Sequence, residues 1–202
     1  MLARGLPLLR GDSREMHNGR MALEFTTSYL ADSLAVLRYY KKLGEQAMAQ
    51  VSDAGLTAQL DAESNSIAII VKHLSGNMRS RWTDFLTSDG EKPWRNRDSE
   101  FDSPPQTRAE ILALWEAGWK PPLETMASLT EADLTRTIRI RTEPHSVMQA
   151  INRGVAHCCY HVGQIVFLAK HLATDHWKSL TIPRGKSSEF NARVSAGEIS
   201  QR

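Results

Sequence analysis

Four long stretches of this sequence repeat apolar residues every three or four positions, and that spacing commits most of the chain to helix. The first runs from about Ala22 to Val51, with Leu23, Leu30, Leu34, Leu37 and Met48 in helical phase. Ser52-Asp53-Ala54-Gly55 interrupts it, glycine being a common helix stop. The second runs from about Asp61 to Leu86 and gathers Ile67, Ile70, Val71, Leu74, Met78 and Phe85 on one side. The third, about Thr107 to Leu129, contains Pro121 and Pro122, which predict a kink or a division. The fourth takes Pro144 into its first turn and reaches Ala173.

Between the second and third helices, residues 87–105 form a long loop rich in turn residues, charge and aromatics. Ahead of the fourth, TRTIRIRT (Thr135–Thr142) alternates like a strand but is too short to build a sheet alone. From Trp177 onward a packed but irregular segment is expected. Four amphipathic helices of about 25 residues predict an all-α four-helix bundle. The long second connection fits either a hairpin link or a crossover. Residues 1–20 lack sustained periodicity and read as a flexible extension, with Met1, Met16 or Met21 as possible starts. The bundle occupies 21–192, and 193–202 read as a flexible tail.

The chain has 202 residues, enough to bury about 70% of its unfolded surface without disulfide staples. A net charge of +2 is too small to argue for a nucleic-acid or membrane surface. No stretch approaches the ~20 apolar residues of a membrane helix. The two cysteines, Cys158 and Cys159, are adjacent on a predicted helix and point about 100° apart, so they cannot bridge each other. Free thiols without a signal peptide predict a soluble, cytoplasmic protein.

His157 and His161 lie four residues apart on the fourth helix, so both imidazoles share one face. With His157 at zero, His161 falls near 40°, and the apolar residues fill an arc from roughly 60° to 140°. Both histidines border the buried stripe. His73 does the same on the second helix, within a polar line of Ser66, His73, Asn77, Ser80 and Asp84. Polar lines beside core stripes on two helices predict a lined cavity between them. Three neutral imidazoles there suit one divalent ion, with zinc, nickel and iron all accepting such ligands. Ordinary boundary histidines produce the same pattern and are commoner. His17, His145, His171 and His176 fall in the extension or near helix ends. No Cys-x-x-Cys, P-loop, nucleophile elbow or Glu-x-x-His motif is present.

The stretch HCCYHVGQIVFLAKHL (His157–Leu172), with His73 upstream in VKHLSGNMRSRW, resembles the DinB/YfiT-like superfamily of bacterial four-helix metal proteins. Those proteins carry one histidine on the second helix and an H-x-x-x-H pair on the fourth. A glycine and a glutamine often follow, here Gly163 and Gln164. The segment from Asn77 to Phe101 and the tail IPRGKSSEFN resemble an uncharacterised branch of that superfamily. The resemblance covers about Phe25 to Asn191. It implies a homodimer with one divalent metal on His73, His157 and His161. Relatives include transferases that use low-molecular-weight thiols, such as bacillithiol or mycothiol, and a thiol-dependent isomerase.

The expected activity is therefore metal-dependent, with an activated thiol or water attacking a small-molecule substrate. Asn77 or Gln164 would orient the substrate or water. The alternative is a non-catalytic, stress-related helical homodimer with a structural metal site. Cys158 falls in the apolar arc, where core packing outweighs nucleophilic use. Arg79, Arg81, Lys92, Arg95 and Arg97 cluster around Trp82 and Trp94. Arg79, Arg95 and Arg97 are candidates for a substrate- or thiol-binding rim. The competing reading, which fits the local composition better, pairs the arginines with Asp84, Asp89, Asp98 and Glu100 to pin the loop. The same acids argue against nucleic-acid binding.

Overall fold

A computed structural model describes residues 28–200. The expected extension over 1–20, the choice among Met1, Met16 and Met21, His17, and the start of the first helix near Ala22 lie outside these residues. So do the last two residues of the expected tail. The described chain divides between two compact units, one spanning 28–187 and the other including 188–200.

The larger unit holds four long helices, each opened by a hydroxyl cap. Helix α1 (Tyr29–Met48) is capped by Ser28, and a short α2 (Asp53–Thr57) by Ser52. Helix α3 (Ile67–Trp82) is capped by Ser66, whose Oγ accepts the Ile69 N–H. It starts later than its predicted onset at Asp61. The Asp61 carboxylate accepts the backbone N–H groups of Glu63 and Ser64, which closes a turn there instead. Helix α4 (Arg108–Ser128) begins with a Thr107/Glu110 capping box and runs unbroken past Pro121 and Pro122, without the predicted division.

The alternating run becomes β1 (Thr137–Ile140), paired antiparallel with β2 (Glu143–Ser146), Ile140 opposite Glu143. Pro144 therefore lies in a strand and not in the first turn of a helix. Helix α5 (Val147–Ala173) waits for the Ser146/Gln149 capping box. The expected irregular tail carries α6 (Ser187–Ser195), all but its first residue in the smaller unit. Gly197, at φ +73°, ends it by letting the Glu198 N–H reach the Arg193 carbonyl at 3.0 Å.

Helix α3 packs on α4 and on α5, and α1 packs on both of those, so α1 and α3 sit on one diagonal and α4 and α5 on the other. Contacts fix the directions. Ser75 meets Gly118, and Thr125 donates to the Trp82 carbonyl at 3.1 Å, so α3 and α4 run parallel. Tyr29 bonds Asn152 at 2.6 Å, and Gln50, beyond α1, bonds Lys178, beyond α5, so these two also run parallel. Lys41 bonds Glu116 while Arg108 reaches the Met48 carbonyl, so α1 opposes α4. Trp82 lies against Gly154 and His73 beside His161, so α3 opposes α5. The order is up, down, down, up, and the long loop between α3 and α4 is a crossover that returns about 24 Å of helix length. Lys72 fastens that loop through the carbonyls of Ser99 and Asp102, both at 2.6 Å.

The core is continuous, with Leu37, Met48, Leu74, Trp115, Trp119, Ile151 and Ile165 fully buried. Gly118 permits the α3–α4 approach: a Cβ there would sit 2.7 Å from Ser75 Cα. Overpacking costs about 1–3 kcal/mol, and the gain in helix propensity over glycine offsets about 1 kcal/mol. Gly118→Ala should therefore lose roughly 1 kcal/mol net and melt a few degrees lower. An unchanged or higher melting temperature would show that the two helices separate freely.

Candidate metal centre

The antiparallel pairing of α3 with α5 brings His73 against the turn that carries His157 and His161. Ring centroids lie 5.4 Å apart for His73–His157, 4.8 Å for His73–His161 and 4.5 Å for His157–His161. One ring nitrogen from each falls within 4.8 Å of the others, so the three can hold one metal ion. Among the described residues, no fourth His, Cys, Asp or Glu joins that group.

The ring orientations have specific supports. His73 is buried, and its Nδ1 lies 2.8 Å from Glu100 Oε2. A carboxylate accepts, so Nδ1 is the donor there, and Nε2 is the atom left to face a metal. Arg95 grips the same carboxylate through Nε and Nη2 at 2.8 and 3.0 Å, its side chain only 2% exposed. Burial would raise the Glu100 pKa, but hydrogen bonds from His73 and Arg95 outweigh it and hold the carboxyl below its usual range. Gly76 makes room for this contact, since a Cβ there would collide with Glu100 Oε1 at 2.2 Å. Phe101 stacks on the other side of His73 at 5.0 Å.

His161 Nδ1 lies 2.8 Å from Gln164 Oε1, which again directs Nε2 outward as an acceptor. Burial, with His161 and His73 close by, pushes the His157 pKa down to about 3. Burial, against the Gln164 hydrogen bond, also lowers that of His161. Both rings are therefore neutral at pH 7. His157 Nδ1 is buried without a hydrogen-bond partner. Three imidazoles, two of them oriented by acceptors and one with an orphaned buried nitrogen, form a donor set that fits a divalent cation.

The histidines line a cavity of about 410 Å³. Asn77 lines it as well, but Gln164 does not; its amide is engaged with His161. The three candidate arginines diverge. Arg79 points away and covers the Trp94 ring at 5.5 Å. Arg95 is tied to Glu100, and Arg97 lines the cavity with its guanidinium 5.4 Å from the Phe101 ring centroid. Arg81 bonds Glu91 at 3.1 Å, so ion pairing does pin much of the loop. Cys158 is buried, its thiol pushed up to about 12 by burial, and Cys159 is also raised. Neither thiol is ionised at neutral pH. His145 sits on the hairpin, bonded to the Glu143 carbonyl.

Sequence reasoning missed Glu100 as the partner of His73. It stands 27 positions away on a crossover loop, among other acids, and no spacing rule links the two. It also missed Arg141 and Arg153, which line the cavity from the hairpin turn and from α5. Arg153 had a readable signal, since it lies one helical turn before His157 on the same face.

The fold defines the class. YfiT from Bacillus subtilis, described as a probable metal-dependent hydrolase with an unusual four-helix bundle topology, aligns with a TM-score of 0.54 at 16% identity, covering 76% of this chain and 93% of that one. A DinB-like protein from Bacillus cereus aligns with a TM-score of 0.57 at 14% identity, covering 74% and 96%. The resemblance read from the sequence therefore holds at the level of fold: this is a DinB/YfiT-like four-helix bundle. Residues 24–186 match the model of the family DUF1572, a protein family of unknown function, and the chain belongs to that family. Comparison with curated proteins finds no match. Among the described residues, no helix is long and apolar enough to cross a membrane.

One wall of the cavity depends on Asp89. Its carboxylate accepts the N–H groups of Glu91, Arg141 and Thr142 at 2.7, 2.8 and 2.7 Å. It thereby holds the hairpin turn, where Arg141 and Thr142 adopt φ of 54° and 67°. The hydrogen bond from Glu91 lowers the Asp89 pKa most, burial opposes it, and the bonds from Thr142 and Arg141 add to the lowering. A depressed carboxyl contributes stability above its unfolded pKa of about 3.9 and loses it as pH falls through the folded value. Asp89→Ala should cost about 1–2 kcal/mol at pH 7 by denaturant melting. The difference from the native chain should shrink below pH about 4; a gap independent of pH would rule out this role for the charge.

Proposed function

We propose that this protein is a divalent-metal-dependent enzyme in which His73, His157 and His161 would hold the ion. One observation carries the reading: three imidazole donors converge on a cavity wall, with no fourth protein donor among the described residues to close the set. When bound, a divalent cation there lowers the pKa of a water or thiol at an open position. Zinc, nickel and iron all suit the donors.

The chain's own residues have distinct tasks in this reading. Arg95 and Glu100 orient His73, and Gln164 acts as a positioning residue through His161. Asn77, on the cavity wall, orients the substrate or the attacking group. Trp82, Phe85 and Ile140 provide an apolar wall that excludes water from part of the site. A cavity of about 410 Å³ suits a small-molecule substrate or a low-molecular-weight thiol. The description of YfiT as a probable metal-dependent hydrolase supports water as the activated group. Thiol transfer uses the same lowering of pKa. We also propose a homodimer, which the family resemblance implies.

The test is metal quantification on the full chain purified without a histidine tag, followed by hydrolysis and thiol-transfer screens. One equivalent of ion is expected. His161→Ala should abolish stoichiometric binding while preserving helix content, and full retention would refute the site. Glu100→Gln should weaken metal affinity by about 10–100-fold through the loss of second-layer support. A metal-edge spectrum showing a fourth protein ligand would sink the enzymatic reading in favour of a structural site.

A further inference from the structure

Five arginines line the cavity: Arg81, Arg95, Arg97, Arg141 and Arg153. No Asp or Glu lines it with them. Part of this charge is neutralised from behind. Arg81 and Arg141 share Glu91, at 3.1 and 2.9 Å, and Arg95 holds Glu100. The remainder is not neutralised. Arg95 uses Nε and Nη2 on Glu100, but its Nη1 is buried with no partner. A guanidinium N–H out of water and without an acceptor is costly, and a ligand oxygen would satisfy it. Among the described residues no carboxylate pairs with Arg97 or with Arg153. Arg97 rests one face on Phe101, which leaves the N–H edge of its guanidinium available. Arg153, His157 and His161 follow at four-residue intervals, so the arginine lies on the histidine face of α5.

We infer, on the reading that the histidines hold a catalytic cation, that the cavity admits a substrate bearing an oxyanion group, a carboxylate or a phosphate, seated on Arg95, Arg97 and Arg153 beside the histidines. Loop pinning explains Arg81, Arg141 and two of the Arg95 nitrogens. It does not explain why Arg95 Nη1, Arg97 and Arg153 meet at one cavity without an acid. An oxyanion accepts from several guanidinium groups at once, and no carboxylate lines the cavity to oppose that positive field. The apolar wall formed by Trp82, Phe85 and Ile140 would take the carbon portion of the same molecule.

The test uses calorimetry on the full chain after chelation of metal, titrated separately with inorganic phosphate and with acetate. Saturable one-to-one binding is expected, and the tighter of the two probes names the source of the oxyanion. Arg153→Gln and Arg97→Gln should each weaken binding by about tenfold. Arg79→Gln, outside the cavity, should leave it unchanged. Absence of saturable binding by either anion overturns the inference. So does full binding by the doubly substituted Arg97→Gln, Arg153→Gln chain, whose altered side chains are solvent-exposed. Metal content measured on the same variants separates the two readings. The arginine variants should keep one equivalent, so a failed anion site with intact metal binding refutes only this inference. Lost metal binding with intact anion binding refutes only the catalytic cation.

Discussion

Glu100 is the charge on which the arrangement around the site depends. It is a buried carboxylate, and burying one alone is prohibitive. It persists because His73 on α3 and Arg95 on the crossover loop both donate to it. That requirement acts in both directions. The carboxylate fixes the tautomer and angle of His73, and the bundle in turn fixes a loop that has few apolar residues to hold it. Removing Glu100 would leave Arg95 buried without an anion and His73 free to turn. Gly76 is part of the same interaction, because any larger residue would occupy the space of the Glu100 oxygens.

Periodicity disclosed the helices because each long helix buries a stripe, and Leu37, Leu74, Ile111 and Ile165 stand fully buried within theirs. Ends were harder to read. Asp61 and Ser66 can both cap a helix. Only the turn closed by Asp61 onto Glu63 and Ser64 decides for Ser66. Pro144 suits a first helical turn equally well as an edge strand, and pairing with Arg139 on the opposite strand settles it. The alternation of TRTIRIRT marked one strand but not its partner, since EPHS carries no alternating signal.

The site was legible where chemistry follows local spacing. His157 and His161 are neighbours on one helix, and their phase alone put them beside the core. His73 came within reach through its own polar line and through the family resemblance. The support around them was not legible. Gln164 follows His161 by three residues, and its role as an orienting acceptor appears only with the rotamers in view. The arginines illustrate the same boundary. Arg79 and Arg81 are two positions apart in sequence, yet one covers Trp94 outside the cavity and the other lines it. Composition reveals a basic cluster, but only geometry tells which members face inward.

The up, down, down, up order also bears on how the protein reaches its fold. Helices that follow one another along the chain never meet as a simple antiparallel hairpin here. The neighbours α1 and α5 are separated by nearly a hundred residues, and even α3 and α4 meet only after the crossover has turned back. All-helical proteins usually fold fast because their contacts are local, whereas distant pairings demand loop closure before any reward. This bundle should therefore be slow for its class, and His73 should join the α5 pair late, when the last helix docks.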